Sequence, residues 1–172
     1  MNIPATNIKL LALDVDGILT DGRIMLDSNG NELKVFSAHD GMGIKAALQA
    51  GIVVAFVTSR SSKPVEVRAT ELGVTELYQG AQNKIDVVKS LAMKYNVSLD
   101  EVCFMGDDLV DLQPIVAVGW GVTVPDAPDE IRKYADYVTD RRCGCGAVRE
   151  VIEIILKRNG LWDAVIKKYL GE

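Results

Sequence analysis

The chain has 172 residues, and because a globular domain averages about 150 residues, we expect one domain spanning residues 1–172 rather than two. Hydrophobic residues make up 48% of the sequence and charged residues 25%, a balance that excludes a disordered or fibrous chain. The net charge of -5 and the lack of any basic run argue against nucleic acid as a partner.

The first predicted elements are a buried strand and a β-hairpin. Leu10–Leu13 is a short aliphatic run that ends in polar residues, as buried parallel strands do. Arg23–Leu26 and Glu32–Phe36 have strand patterns, and the turn sequence Ser28-Asn29-Gly30-Asn31 between them predicts a projecting hairpin over residues 23–36. Its arms carry more apolar surface than an isolated two-stranded ribbon can bury, on Ile24, Leu26, Leu33, Val35 and Phe36. We therefore expect a partner subunit to cover the hairpin.

Strands and helices alternate along the rest of the chain. Apolar runs predict strands at Val53–Val57, Val102–Met105 and Gly121–Val124. Apolar positions three and four residues apart predict helices at Met42–Gln49, Val65–Leu72, Lys84–Tyr95 and Val148–Lys157, with Gly51 and Gly73 at the ends of the first two. This alternation predicts an α/β fold with a doubly wound, Rossmann-like parallel sheet. Ligands of such sheets bind at the carboxyl ends of the strands, so the polar residues after each strand are the candidates for a site.

The N-terminus and the cysteines indicate the compartment. The sequence MNIPATNIKL lacks the regions of a signal peptide, and no apolar stretch reaches the roughly 18 residues that span a bilayer, so we expect a cytoplasmic protein. Cys103, Cys143 and Cys145 are odd in number, and the C-x-C pair lacks a second Cys or His pair for a zinc site. Free, reduced thiols are the expectation.

Acidic residues follow two of the predicted strands. Asp14 and Asp16 in the sequence Asp-Val-Asp-Gly project the same way, because strand side chains alternate between faces. A second cluster, Asp107, Asp108 and Asp111, follows another strand. Adjacent carboxylates repel unless a cation or a shared proton relieves them, so the pattern indicates a divalent metal, an acid/base role, or both. Carboxylate oxygens with retained waters suit Mg²⁺ better than zinc.

Hydroxyl and basic side chains complete the pattern. Thr58-Ser59-Arg60 follows the second strand of the sheet, where a hydroxyl and a guanidinium can donate to an anion. Lys84 begins a predicted helix. Alone, these residues would be interpreted as a helix cap, a surface arginine and a solvated lysine. Together with the acidic clusters they form an ordered set of acid pair, hydroxyl, lysine and acid pair.

This ordered set resembles the four motifs of the haloacid dehalogenase-like phosphatases, and the resemblance covers nearly the whole chain. More specifically, four fragments look like the 3-deoxy-D-manno-octulosonate 8-phosphate (KDO 8-phosphate) phosphatases: LDVDGILTDG at residues 13–22, LYQG at 77–80, Asn83-Lys84 and GAVRE at 146–150. The stretches between Asp14, Thr58 and Lys84 are too short to hold a cap domain. A site without a cap lies open to water unless neighbouring subunits close it.

The resemblance implies a mechanism in which Asp14 is the nucleophile that forms an aspartyl-phosphate. Asp16 would protonate the leaving sugar alcohol and then activate water. Mg²⁺ would be held by Asp14, the backbone carbonyl of Asp16 and Asp107, because the charge of the incoming dianion must be neutralised. Thr58 and Lys84 would steady the phosphoryl group, with Asp108 and Asp111 as supports.

The resemblance also implies a sugar pocket and a homotetramer with active sites shared between subunits. The implied substrate-binding residues are Asp16, Ser37, His39, Asp40, Gly41, Lys45, Ser59, Arg60, Arg68 and Lys84. His39 and Lys45 stand where the family commonly has arginine, Ser59 where glycine is usual, and cysteines flank Gly144. A surface role for His39 is as well supported as a substrate role.

Three alternatives remain at this stage. A phosphatase of the same build could act on a nine-carbon sialic-type sugar 9-phosphate, although that group tends to carry Glu at the position of Arg60. A noncatalytic oligomerisation module is disfavoured by the intact Asp14, Asp16, Lys84 and Asp107. A phospho-accepting receiver domain also uses acidic strand ends, but its acceptor would be expected on a middle strand and not beside a partner carboxylate on the first strand.

Overall fold

The computed structural model describes residues 6–172 of the chain. Its strands are β1 (Leu10–Leu13), β2 (Met25–Leu26), β3 (Glu32–Leu33), β4 (Val53–Val57), β5 (Glu76–Tyr78), β6 (Val102–Met105), β7 (Trp120–Thr123) and β8 (Tyr137–Val138). Six of them form one parallel sheet in the order β5-β4-β1-β6-β7-β8, and β2 pairs antiparallel with β3. Strand β1 lies inside the sheet and is wholly buried, with Leu13 in register with Phe56 and Met105. The carboxyl ends of β1, β4 and β6 therefore meet at one edge.

Seven helices lie between and after the strands of the described residues. They are α1 (Ala38–Gln49), α2 (Lys63–Leu72), α3 (Lys84–Lys94), α4 (Leu112–Ala117), α5 (Asp129–Tyr134), α6 (Ala147–Arg158) and α7 (Trp162–Leu170), with short 3₁₀ helices at Leu99–Glu101 and Leu109–Asp111. Helix α1 packs on α6 and α2, whereas α3, α4 and α5 pack in series. The predicted doubly wound α/β fold with a separate hairpin is confirmed. Within residues 6–172, no helix combines the length and the hydrophobicity needed to cross a membrane.

Element boundaries agree closely with the predictions where the apolar pattern is clear. Gly51 and Gly73 follow α1 and α2 with φ of 84° and 81°, as predicted for helix ends. Helix α1 begins four residues earlier than predicted, because Ser37 caps it by accepting a hydrogen bond from the Asp40 amide at 3.2 Å. Its first turn, Ala38–Gly41, carries no apolar periodicity from which this start could have been predicted.

The hairpin is shorter than predicted, and most of its apolar side chains are exposed. Only Met25 and Leu26 on one arm pair with Leu33 and Glu32 on the other. Ile24, Leu26, Leu33 and Val35 expose between 46% and 68% of their surface. Phe36, which was predicted to need a partner subunit to cover it, instead packs against the core beneath the Arg68 guanidinium. Apolar side chains therefore remain exposed on both arms of the hairpin.

Candidate active site

The site lies at the edge where β1, β4 and β6 end. Asp14 and Asp16 follow β1, Thr58 follows β4, Asp107 follows β6, and Lys84 is the first residue of α3. A cavity of about 250 Å³ brings together the predicted residues from all four motifs. It is lined by Asp14, Asp16, Gly22, Thr58, Ser59, Arg60, Lys84, Asp107, Asp108 and Val110. The cavity therefore assembles the acid pair, the hydroxyl, the lysine and the second acid pair in one place.

Lys84 is the buried cation of this cavity. Its Nζ lies 2.8 Å from Asp14 Oδ1 and 2.6 Å from Asp111 Oδ1. Burial lowers the pKa of this ammonium group, but the two carboxylates outweigh that effect and raise the pKa overall, so the lysine stays charged. Asp111, predicted only as a support, is fully buried and also accepts from the backbone amides of Asp107 and Asp108 at 3.1 and 3.2 Å. One side chain thus positions both the lysine and the second acid pair.

Asp14, Asp107 and Asp111 concentrate negative charge. Oxygen atoms from the three carboxylates lie within 4.8 Å of one another. Burial, followed by repulsion from Asp111, raises the pKa of Asp14 to about 6. Burial and then the charges of Asp14 and Asp111 raise the pKa of Asp107 to about 8. This strain between like charges is what a divalent cation relieves, and an all-oxygen donor set suits Mg²⁺.

Gly17 permits the close approach of the two acidic strand ends. Its φ is 89°, and a Cβ atom built there would lie 2.0 Å from Asp107 Oδ2. No other residue could occupy this position without displacing the carboxylate. The turn after Asp16 is therefore shaped around the second acid pair.

Asp16 turns toward the hairpin rather than toward the other carboxylates. It forms ion pairs with Lys34 of the hairpin and, at 3.6 Å, with Arg60 Nε. Glu32 also contacts both cations, at 3.2 Å to Lys34 Nζ and 2.8 Å to the Arg60 guanidinium. Lys34 and Glu32 were not among the predicted site residues. Their signal was the alternation of polar residues 32 and 34 with apolar residues 33 and 35, which turns the polar side chains to the same face.

Thr58 is held where an anion could reach it. The residue is 3% exposed, and its backbone amide donates to the Tyr78 carbonyl at 2.9 Å. Its hydroxyl oxygen accepts from the Arg60 amide at 3.2 Å, which leaves the hydroxyl hydrogen free to donate. Ser59 is half-buried beside it, and both line the cavity.

The other predicted substrate residues lie around the cavity rather than in it. Arg68 lines an adjacent groove of about 810 Å³ between the hairpin and α2, and its guanidinium donates to the Ser37 carbonyl at 3.0 Å. Gly41 lies against the same guanidinium. Asp40 is 1% exposed and accepts from the Arg149 and Gly146 amides at 2.7 and 3.2 Å, so its carboxylate caps α6.

His39 and Lys45 lie apart from the two spaces just described. His39 is exposed in the first turn of α1. Lys45 is half-buried and lines a different depression, formed with Gln49 and Thr70 among others. Within residues 6–172, neither residue lines the cavity at the strand ends.

Fold and site together define the class of protein. An Asp-x-Asp pair after the first strand of a doubly wound sheet, joined by threonine, lysine and a second acid pair, is the arrangement of haloacid dehalogenase-like hydrolases. The family model described as haloacid dehalogenase-like hydrolase matches residues 62–152.

Individual relatives narrow the class. The chain is 46% identical over 159 residues to the 3-deoxy-D-manno-octulosonate 8-phosphate phosphatase KdsC of Escherichia coli K12, covering 92% of this chain and 85% of the relative. A Moraxella catarrhalis phosphatase of that name, solved with magnesium, phosphate and KDO, superposes with a TM-score of 0.92 at 43% identity, covering 95% of this chain and 94% of that one. The cobalt-bound deoxy-D-mannose-octulosonate 8-phosphate phosphatase of Haemophilus influenzae superposes with a TM-score of 0.86 at 36% identity, covering 90% of both chains. The chain belongs to the KDO 8-phosphate phosphatase family, as the motifs predicted.

Proposed function

We propose that this protein hydrolyses the phosphate monoester of an acidic sugar, KDO 8-phosphate, to KDO and phosphate in a Mg²⁺-dependent reaction. The observation that carries the proposal is the cavity in which Asp14, Thr58, Lys84 and Asp107 meet, in a chain 46% identical to KdsC of Escherichia coli. The solved relative that holds magnesium, phosphate and KDO supports the choice of substrate and ion. Arg60 favours this substrate over the nine-carbon sugar phosphates, whose phosphatases tend to carry Glu at that position.

Asp14 is the proposed nucleophile. Its carboxylate oxygen attacks phosphorus while the bond from phosphorus to the sugar oxygen breaks, giving an aspartyl-phosphate. The 2.8 Å contact with Lys84 fixes the attacking group and places a positive charge beside the incoming phosphate. Asp14, Asp107 and the backbone carbonyl of Asp16 would hold Mg²⁺, which supplies charge neutralisation to the phosphate dianion. Thr58 donates to a phosphoryl oxygen.

Asp16 is the proposed acid and base. It gives a proton to the leaving sugar oxygen and later takes one from the water that attacks the aspartyl-phosphate, which regenerates Asp14. Its ion pairs with Lys34 and Arg60 orient the carboxylate toward the hairpin side of the cavity, where the sugar would enter. Proton transfer requires this orientation before the phosphorus–oxygen bond breaks.

The sugar is proposed to lie across the cavity and the adjacent groove. Arg60, which lines the cavity, and Arg68, which lines the groove, are the guanidinium groups proposed to bind its carboxylate. Ser59 is placed to contact the sugar hydroxyls, and Ser37 and Gly41 lie on the Arg68 side. We propose that Asp40 supports the pocket indirectly, by capping α6. We further propose that His39 and Lys45 contact the sugar bound in a neighbouring subunit.

The assembly is proposed to be a homotetramer of single-domain subunits in the cytoplasm. The support for assembly is the exposed apolar surface on the two arms of the hairpin, where Leu26 and Val35 are 62% and 68% exposed. Packing hairpins against each other would bury these side chains and close the side of a cavity that has no cap. Active sites shared between subunits follow from that arrangement.

A panel of sugar phosphates tests the proposal. Phosphate release is measured from KDO 8-phosphate, a nine-carbon acid sugar 9-phosphate and a neutral hexose phosphate, each with Mg²⁺ and with a chelator. We expect fastest turnover of KDO 8-phosphate and none with chelator. A preference for the nine-carbon substrate would assign the protein to the nine-carbon sugar phosphates instead. If no substrate is hydrolysed, the protein is a noncatalytic module.

A further inference from the structure

Two cysteines lie in a tight turn beside the segment that follows Asp16. The amide of Cys145 donates to the Arg142 carbonyl at 3.1 Å, and Gly144 between the cysteines has a φ of 61°, so residues 142–145 form a hydrogen-bonded turn. Both thiols are free. Cys143 is 8% exposed, whereas Cys145 is exposed to solvent. One thiol is therefore accessible to solvent and the other is buried.

The turn is packed against the segment that follows Asp16. The Gly144 amide donates to the Ile18 carbonyl at 3.0 Å, and a Cβ at Gly144 would lie 2.8 Å from the carbonyl carbon of Thr20. The Thr20 hydroxyl in turn accepts from the Gly17 and Gly22 amides at 3.4 and 3.3 Å. Gly17 abuts the Asp107 carboxylate. A change in the cysteine turn is thus transmitted over a few direct contacts to the proposed metal site.

We propose that Cys143 and Cys145 form a reversible disulfide that weakens Mg²⁺ binding at the neighbouring carboxylates. The oxidant is a small-molecule disulfide such as glutathione disulfide. The Cys145 thiolate attacks one of its sulfur atoms, the sulfur–sulfur bond breaks, and one glutathione thiolate leaves. The Cys143 thiol then gives its proton to the released glutathione thiolate and attacks Cys145 Sγ, which expels the second glutathione. The two protein thiols are oxidised by two electrons, and glutathione disulfide is reduced to two glutathiones.

The turn brings Cys143 and Cys145 close enough for a disulfide, but forming it would disturb the contact between Cys143 and Asp126. Cα atoms two residues apart in a hydrogen-bonded turn are about 5.5 Å apart, inside the range that disulfides span. Cys143 is held by Asp126, whose carboxylate accepts from its amide at 3.2 Å. Burial and the Asp126 charge raise the pKa of the Cys143 thiol to about 11, so the exposed Cys145 is the thiol that begins the exchange. Closing the ring would take the Cys143 thiol from its hydrogen bond with Asp126 and shift the turn against Thr20.

The test is oxidation of the full-length protein with glutathione disulfide, followed by trypsin. Cleavage after Arg142 and Arg149 releases residues 143–149, which contain both cysteines, while Cys103 lies in another peptide. We expect the 143–149 peptide to become lighter by two hydrogen atoms, with Cys103 unchanged because it is buried. Calorimetric titration with Mg²⁺ should then give an affinity about fivefold or more lower. Reduction with dithiothreitol should restore the original mass of the 143–149 peptide and the original Mg²⁺ affinity.

Two variants separate a disulfide from general oxidative damage. Cys145→Ser should keep its Mg²⁺ affinity through the oxidation, and Cys103→Ser should respond as the wild type does. The proposal is overturned if the 143–149 peptide carries only glutathione adducts, or if the disulfide forms and the affinity changes less than twofold. Peptide mass and Mg²⁺ affinity do not depend on the sugar substrate, so failure of the proposed function would not mimic either outcome.

Discussion

Lys84 and Asp14 form a buried ion pair, with Nζ 2.8 Å from Oδ1 and both side chains almost fully shielded from water. The same ammonium contacts Asp111, so one cation is shared by two carboxylates. The lysine charge is therefore not enough to neutralise the cluster, to which Asp107 adds a third carboxyl group. An additional cation is needed before a phosphate dianion can approach Asp14.

The first prediction concerns the nucleophile. Asp14→Asn keeps the shape of the side chain but removes the anionic oxygen, so turnover should fall by about 10³-fold or more while the melting temperature stays close to that of the wild type. Asp86→Asn is the matched control, because Asp86 is exposed on α3, accepts from the Asn83 side chain at 2.6 Å and does not line the cavity. Activity of Asp14→Asn above about one per cent of wild type would exclude Asp14 as nucleophile.

The second prediction concerns pH and magnesium. In the metal-free protein the pKa of Asp107 is raised to about 8, so this carboxyl is mostly protonated at pH 7, while the cation binds the carboxylate. Binding of Mg²⁺ should therefore release up to about one proton near pH 7, and the apparent affinity should weaken about tenfold per pH unit as the pH falls below 8. Below pH 6, protonation of Asp14, whose pKa is raised to about 6, should steepen the loss.

Titration calorimetry in buffers of different ionisation enthalpy measures this proton release directly. Asp107→Asn is the control, since it lacks the titrating group and should bind Mg²⁺ more weakly with less proton release. An affinity that stays constant between pH 6 and pH 8 would contradict the assignment of Asp107 as a ligand.

The sheet and its acidic edge were predictable because their signals are local. A buried parallel strand needs a continuous apolar run, and β1, β4 and β6 begin and end where Leu10–Leu13, Val53–Val57 and Val102–Met105 predicted. Strand β5 was missed because Glu76 interrupts its apolar pattern. That carboxylate is buried only because Lys94, Tyr95 and Tyr78 donate to it at 2.6, 2.6 and 2.9 Å, and such partners from distant positions leave no local signal.

The hairpin side of the site depends on tertiary placement. Lys34 and Glu32 reach Asp16 and Arg60 only because the hairpin folds back over the ends of β1 and β4, and no spacing in the sequence encodes that approach. Helices α4 and α5 are six residues each, too short for an apolar periodicity to develop. Long-range contacts, rather than local patterns, therefore decide which polar residues join the motif residues.

The third prediction concerns assembly. Replacing Ile24 and Leu26 by lysine puts unpaired charge on the exposed apolar surface of the hairpin, so the oligomer should dissociate to monomers. Met93→Lys is the control, because Met93 is 80% exposed on α3 and is not part of the hairpin. Light scattering coupled to size-exclusion chromatography gives the mass of each. A monomeric wild type would remove the shared active site from the proposal.

The last prediction concerns specificity. Arg60 lines the cavity, and its guanidinium is held 2.8 Å from a Glu32 oxygen, so a carboxylate already occupies the position that a sugar carboxylate would compete for. Arg60→Ala should lower kcat/KM for KDO 8-phosphate by about 2 kcal/mol or more, roughly thirtyfold, and leave hydrolysis of a phosphate ester without a carboxylate nearly unchanged. Arg132→Ala is the control, since Arg132 is an exposed guanidinium that pairs with Asp129 and lines neither the cavity nor the groove. Equal losses on both substrates would assign Arg60 to the phosphoryl group, and no loss on either would make it a surface residue held by Glu32.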